Sequence, residues 1–73
     1  MAEPIHIGHV IQAELRAQGR SVAWLARQLG VSRVACYRIF HSFSVDTQVL
    51  LRISELLERN LFEVYVRRLN SDF

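Results

Sequence analysis

Arginine supplies the charge chemistry of this 73-residue chain. All nine basic residues are arginine, and five of them (Arg16, Arg20, Arg27, Arg33 and Arg38) fall between Leu15 and Val45, a stretch with no acidic residue. From Asp46 onward four arginines stand against five acids, so charge there nearly cancels. A guanidinium is planar, permanently charged, and presents its N–H donors in a fork that matches two oxygens of one anion. A basic, acid-free run on one part of a small domain is the electrostatic footprint of a polyanion binder. The overall formal charge of +2 is too small to argue from. The absence of lysine equally fits a bias in coding-sequence composition and carries little weight.

The other reactive residue types add no second chemistry. Cys36 is the only cysteine, so no disulfide can close within the chain, which fits a reducing compartment. It falls on an apolar helical face, where it reads as a small core hydrophobe rather than a nucleophile. His6 and His9 share an i, i+3 spacing, but no third ligand lies nearby, so they read as surface or capping residues. His41 suits the negative end of a helix dipole, with or without a phosphate beside it. No paired inward carboxylates, phosphate-binding glycine loop or zinc spacing occurs. The expectation is a protein that is not an enzyme, with no metal, cofactor or small-molecule ligand.

Those arginines need elements to hold them, and the hydrophobic spacing supplies an all-α set. Residues 1–6 read as a tail that Pro4 keeps out of helix. A first helix is expected over about 7–17, burying Ile7, Val10, Ile11 and Leu15, with Gly19 closing it. A second runs over about 21–29. Ser21 is its N-cap, and Val22, Leu25, Ala26 and Leu29 form one apolar stripe. A third, over about 32–41 and capped by Ser32, places Cys36, Ile39, Phe40 and Phe43 inward. The opposite pole then falls on Val34, Arg38 and His41, with Tyr37 on one flank and Arg33 in the first turn. Gly30 between the two supplies a residue free to take positive φ. Two helices docked through such a turn make a helix-turn-helix. Trp24 lies roughly opposite the buried stripe of the second helix, and packing against the first helix or a loop competes there with a partner contact.

After a loop at Ser42–Val45, a fourth helix over about 46–58 begins at Asp46 as cap. Val45 and Leu50 are placed for a hydrophobic staple, and Leu50, Ile53, Ser54 and Leu57 face inward. Residues 61–69 stay open between a short helix and a strand, because Phe62, Tyr65, Val66 and Leu69 fit a helix while FEVYV alternates like a strand. The whole is one compact four- to five-helix bundle, a single domain over 1–73. At 51% hydrophobic residues it is apolar for its size, which points to a second subunit covering part of it. No apolar run reaches the ~20 residues of a membrane span and MAEPIHIG lacks a signal-peptide pattern, so a cytoplasmic, nucleoid-associated location is expected.

Ser21, Leu25-Ala26, Gly30-Val31-Ser32 and Cys36 together follow S-x-x-x-L-A-x-x-x-G-V-S-x-x-x-C. This resembles the phage-repressor-like (Xre/Cro) helix-turn-helix family, whose pattern is T/S-x-x-x-L-A-x-x-x-G-V-S-x-x-x-I. Leu50 to Leu57 is similar to the family's L-x-x-I-A-x-x-L, and the resemblance spans Ile7 to Phe62. Cys36 replaces an aliphatic residue, and Trp24 and Tyr37 are bulkier than usual. Phe40-His41-Ser42-Phe43 stands in place of the common E-x-G ending.

The resemblance implies a lambda-repressor-like domain that binds double-stranded DNA as a homodimer and regulates transcription, with the third helix in the major groove. Arg33, Val34, Tyr37 and Arg38 then become base-contacting candidates. Arg20, Ser21, Arg27, Ser32, His41, Ser42 and Ser44 become phosphate-contacting candidates, which set register without reading sequence. Leu61, Phe62, Tyr65 and Val66 are candidates for core plus dimer contact. The competing expectation is a protein-interaction module, such as an antitoxin or adaptor, on the same scaffold.

Overall fold

A computed structural model describes residues 3–72. It is all-α, with α1 at Ile7–Ala17, α2 at Val22–Leu29, α3 at Arg33–His41, α4 at Thr47–Leu57 and α5 at Glu63–Asp72. Of the expected tail, residues 3–6 carry no regular structure, and Met1 and Ala2 lie outside the described residues.

Each helix starts where a side chain satisfies the first free amides. The Ser21 and Ser32 hydroxyl oxygens accept from the Trp24 and Ala35 amides at 3.0 and 3.1 Å. Asp46 Oδ1 accepts from Gln48 and Val49 at 2.8 and 3.3 Å. These are the three caps expected from sequence. α1 is capped by an imidazole, since His6 Nδ1 accepts from the His9 amide at 3.1 Å. α2 ends at Gly30 in the left-handed region (φ 70°), where a side chain would add strain. α4 ends the same way at Glu58 (φ 52°), a position that sequence did not single out.

The apolar stripes meet in one core of Ile7, Ile11, Leu15, Leu25, Ala26, Cys36, Phe40, Leu50, Ile53, Leu57 and Leu61. α1 and α2 each pack on both α3 and α4. Ser54, the one buried polar side chain among the described residues, accepts a hydrogen bond from the Leu61 amide at 3.3 Å. That bond ties α4 to the turn before α5. Cys36 is fully buried, and desolvation pushes its thiol pKa up. The sulfur therefore stays protonated and unreactive near neutrality.

Phe43 departs from its expected place on the inward face of α3. The helix stops at His41, and Ser42 turns extended (φ −90°, ψ 133°), so the helical period no longer carries Phe43 inward. It is 59% exposed and leans on His6, ring centroids 4.2 Å apart. Its carbonyl accepts from the Ile7 amide and that of Ser42 from the Gly8 amide, at 3.3 and 3.1 Å. The loop thus satisfies two free amides of α1.

At the C-terminus the open alternative resolves to helix. Asn60 Oδ1 accepts from the Phe62 amide at 3.1 Å, the Phe62 carbonyl begins the helical ladder, and Glu63 pairs with Arg67 one turn on. A FEVYV strand would need a neighbour to pair with, and among the described residues there is no strand.

Candidate nucleic-acid interface

The outward side of α3 is set by what its inward side must do. Cys36 and Phe40 are buried and Ile39 is half-buried against them. At about 100° per residue, Arg33, Tyr37, His41, Val34 and Arg38 then share an arc of about 140° on the other side. All five are exposed, Val34 by 61% and Tyr37 by 47%. The four base-contacting candidates therefore form one continuous surface. Tyr37 also has a structural duty, because its ring meets Phe40 edge-on with centroids 5.9 Å apart.

Beside this surface lies an open cleft of about 440 Å³ between α2 and the start of α3, lined by Ala23, Ala26, Arg27, Gly30, Val31 and Arg33. The hollow exists because α2 presents alanines here and Gly30 has no side chain. Arg27 and Arg33 supply positive charge to it. On the other side of Val31 is an apolar groove of about 280 Å³ formed by Leu29, Val31, Ile39 and Val49, with Gln48 and Arg52 at its polar edge. Arg52 Nη2 reaches the Gln28 carbonyl at 3.4 Å.

The phosphate-contacting candidates divide by where their donors point. Ser21 and Ser32 use an oxygen lone pair in capping, which leaves each hydroxyl proton free to donate. Arg27, His41 and Ser44 are exposed. Ser42 is different. Its hydroxyl donates to the Arg38 carbonyl at 2.6 Å, so the proton a phosphate oxygen would need is already committed, and Ser42 leaves the set. Arg20 is held against Trp24, its guanidinium carbon 4.1 Å from the ring centroid. Trp24 itself is half-buried and packs on the core.

The candidates for core plus dimer contact also separate. Leu61 is only 3% exposed. It belongs wholly to the monomer core and offers nothing to a partner. Phe62 and Tyr65 are half-buried against that core, while Val66 is 48% exposed and Leu69, one turn beyond it, 51%.

Two features escaped the sequence. Gly8 is buried, and a Cβ there would fall on the carbonyl oxygens of Ile39 and Phe40. α1 and α3 thus approach too closely here for any side chain, and a lone glycine inside an apolar helical pattern was the available signal. His6 and His9 stack with centroids 3.6 Å apart. Among the described residues no three potential ligands gather as a metal site, and no helix is long and apolar enough to cross a membrane. Comparison of the chain with family models, with curated proteins and with solved structures found no match.

Proposed function

We propose that this chain binds double-stranded DNA sequence-specifically, with α2, the Gly30–Ser32 turn and α3 acting as a helix-turn-helix. The observation that carries this is the exposed arc of α3, Arg33, Val34, Tyr37 and Arg38, set inside a run from Leu15 to Val45 without an acid. Arg33 and Arg38 donate in pairs to guanine O6 and N7, Val34 packs on a thymine methyl, and Tyr37 donates to a base edge or phosphate. Arg20, Ser21, Arg27, Ser32, His41 and Ser44 hold the backbone. A single module of this size buries roughly 600–1,000 Å² on DNA, so useful specificity calls for two copies on two half-sites. Val66 and Leu69, with the edges of Phe62 and Tyr65, form the apolar surface for that pairing. The protein then acts as a cytoplasmic, nucleoid-associated transcriptional regulator of the Xre/Cro kind, without catalytic chemistry of its own.

Selection of binding sites from a random duplex pool tests this directly. The expected result is a palindromic site whose half-sites lie about one helical turn apart. A pool that shows no enrichment after repeated rounds contradicts it. The apolar groove beside Val31 favours a second reading as a protein-interaction module, which predicts that same failure to enrich.

A further inference from the structure

We propose that Trp24 is a positioning residue whose ring holds the Arg20 guanidinium ready for a DNA phosphate, an inference that rests on the chain being a duplex binder. Arg20 lies in the link between α1 and α2, where an isolated arginine would sample many rotamers. Here it is fixed from two directions. Its guanidinium carbon sits 4.1 Å from the centre of the Trp24 ring, the geometry of a cation–π contact. Its Nε donates to Gln18 Oε1 at 3.2 Å. Gln18 is anchored in turn, because its Nε2 donates to the Leu57 carbonyl at 2.8 Å and to the Glu14 carboxylate at 3.0 Å. Trp24 stands in the first turn of α2, packed on the core, with its own amide held by the Ser21 hydroxyl.

The indole is thus half-buried against the core while the guanidinium lies over its ring. Arg20 takes part in neither of the two ion pairs found among the described residues, Glu14–Arg59 and Glu63–Arg67. With Nε engaged, its four Nη N–H bonds remain for an acceptor outside the chain. Holding a long side chain in place before binding removes part of the ordering cost that a phosphate contact otherwise carries. Ser21, the next residue, uses an oxygen lone pair to cap α2 and keeps its hydroxyl proton free to donate. Trp24, bulkier than the polar residue usual at its position in the resembling family, acquires a role on this basis.

The test is a double-mutant cycle on a selected duplex, read across salt concentration, using Arg20→Ala, Trp24→Leu and the pair, with Trp24→Phe as the conservative variant. Arg20→Ala is expected to weaken selected and scrambled duplexes alike and to reduce the slope of log K against log salt by about 0.9. In the Trp24→Leu background the loss caused by Arg20→Ala is expected to shrink about two- to fivefold, the size of an exposed cation–π contact. Trp24→Phe, which retains an aromatic face, is expected to recover most of that coupling. Circular dichroism checks that each variant is folded, and Trp24→Met, a second non-aromatic side chain, takes the place of Trp24→Leu if that variant is not. Trp24 is the only tryptophan, so Arg20→Ala is also expected to shift its emission in the free protein.

Equal losses from Arg20→Ala in all three backgrounds, with the wild type binding normally, overturn the positioning role and leave DNA binding intact. A wild type that shows no salt-dependent duplex binding overturns both.

Discussion

Gly8→Ala is expected to destabilise the fold by about 2–3 kcal/mol, although alanine is the better helix former by about 1 kcal/mol. The added methyl falls on the backbone oxygens of Ile39 and Phe40, which cannot rotate away as a side-chain end would. α1 must then move off α3. That movement stretches the Gly8 and Ile7 amide bonds to the Ser42 and Phe43 carbonyls and loosens the core to which Ile7, Ile11 and Phe40 all belong. For a domain of this size the loss corresponds to a fall in Tm of about 10–20 °C. Thermal unfolding followed by circular dichroism measures it. A variant as stable as the wild type would show that α1 and α3 do not approach so closely.

Arg38→Ala is expected to cost about 1–3 kcal/mol on the selected duplex, roughly five- to 150-fold in affinity, and much less on a scrambled one. The side chain is exposed on the outward arc of α3 and makes no ion pair among the described residues. Its removal therefore leaves the core unchanged, while its carbonyl remains capped by Ser42. Fluorescence anisotropy with both duplexes separates the outcomes. Equal weakening on both would make Arg38 a phosphate contact, and loss of specificity at one base pair would make it a reader.

Much of this fold was legible because the signals are local. Ser21, Ser32 and Asp46 cap their helices through bonds spanning two or three residues, and Gly19 and Gly30 take the positive φ that their positions require. The inward faces of α1 and α4 follow from spacing alone. Phe43 was misplaced because periodicity continues on paper after the backbone has left the helix at Ser42. The form of the C-terminal stretch stayed open because the same residues satisfy both periods; the structure makes it α5, and among the described residues there is no strand for FEVYV to pair with.

The candidate site was legible in the same measure. The outward arc of α3 is the complement of its buried stripe, so placing Cys36 and Phe40 inside leaves Arg33, Val34, Tyr37 and Arg38 outside. Contacts across the fold carry no such local mark. The Gln18 bond to the Leu57 carbonyl joins residues that are far apart in sequence. Gly8 reads as an ordinary helix weakness until α3 is seen against it. Leu61 and Val66 look alike as apolar residues, yet one is sealed in the core and the other faces solvent.

The salt dependence of duplex binding bears most directly on the central claim, that the uncovered cationic side of α3 enters DNA. Wild-type affinity for the selected duplex should fall steeply and linearly in log K against log salt, losing about 0.9 in slope per phosphate contact. It should also exceed affinity for a scrambled duplex throughout the range. Affinity that is indifferent to salt, or equally weak for both duplexes, would contradict it.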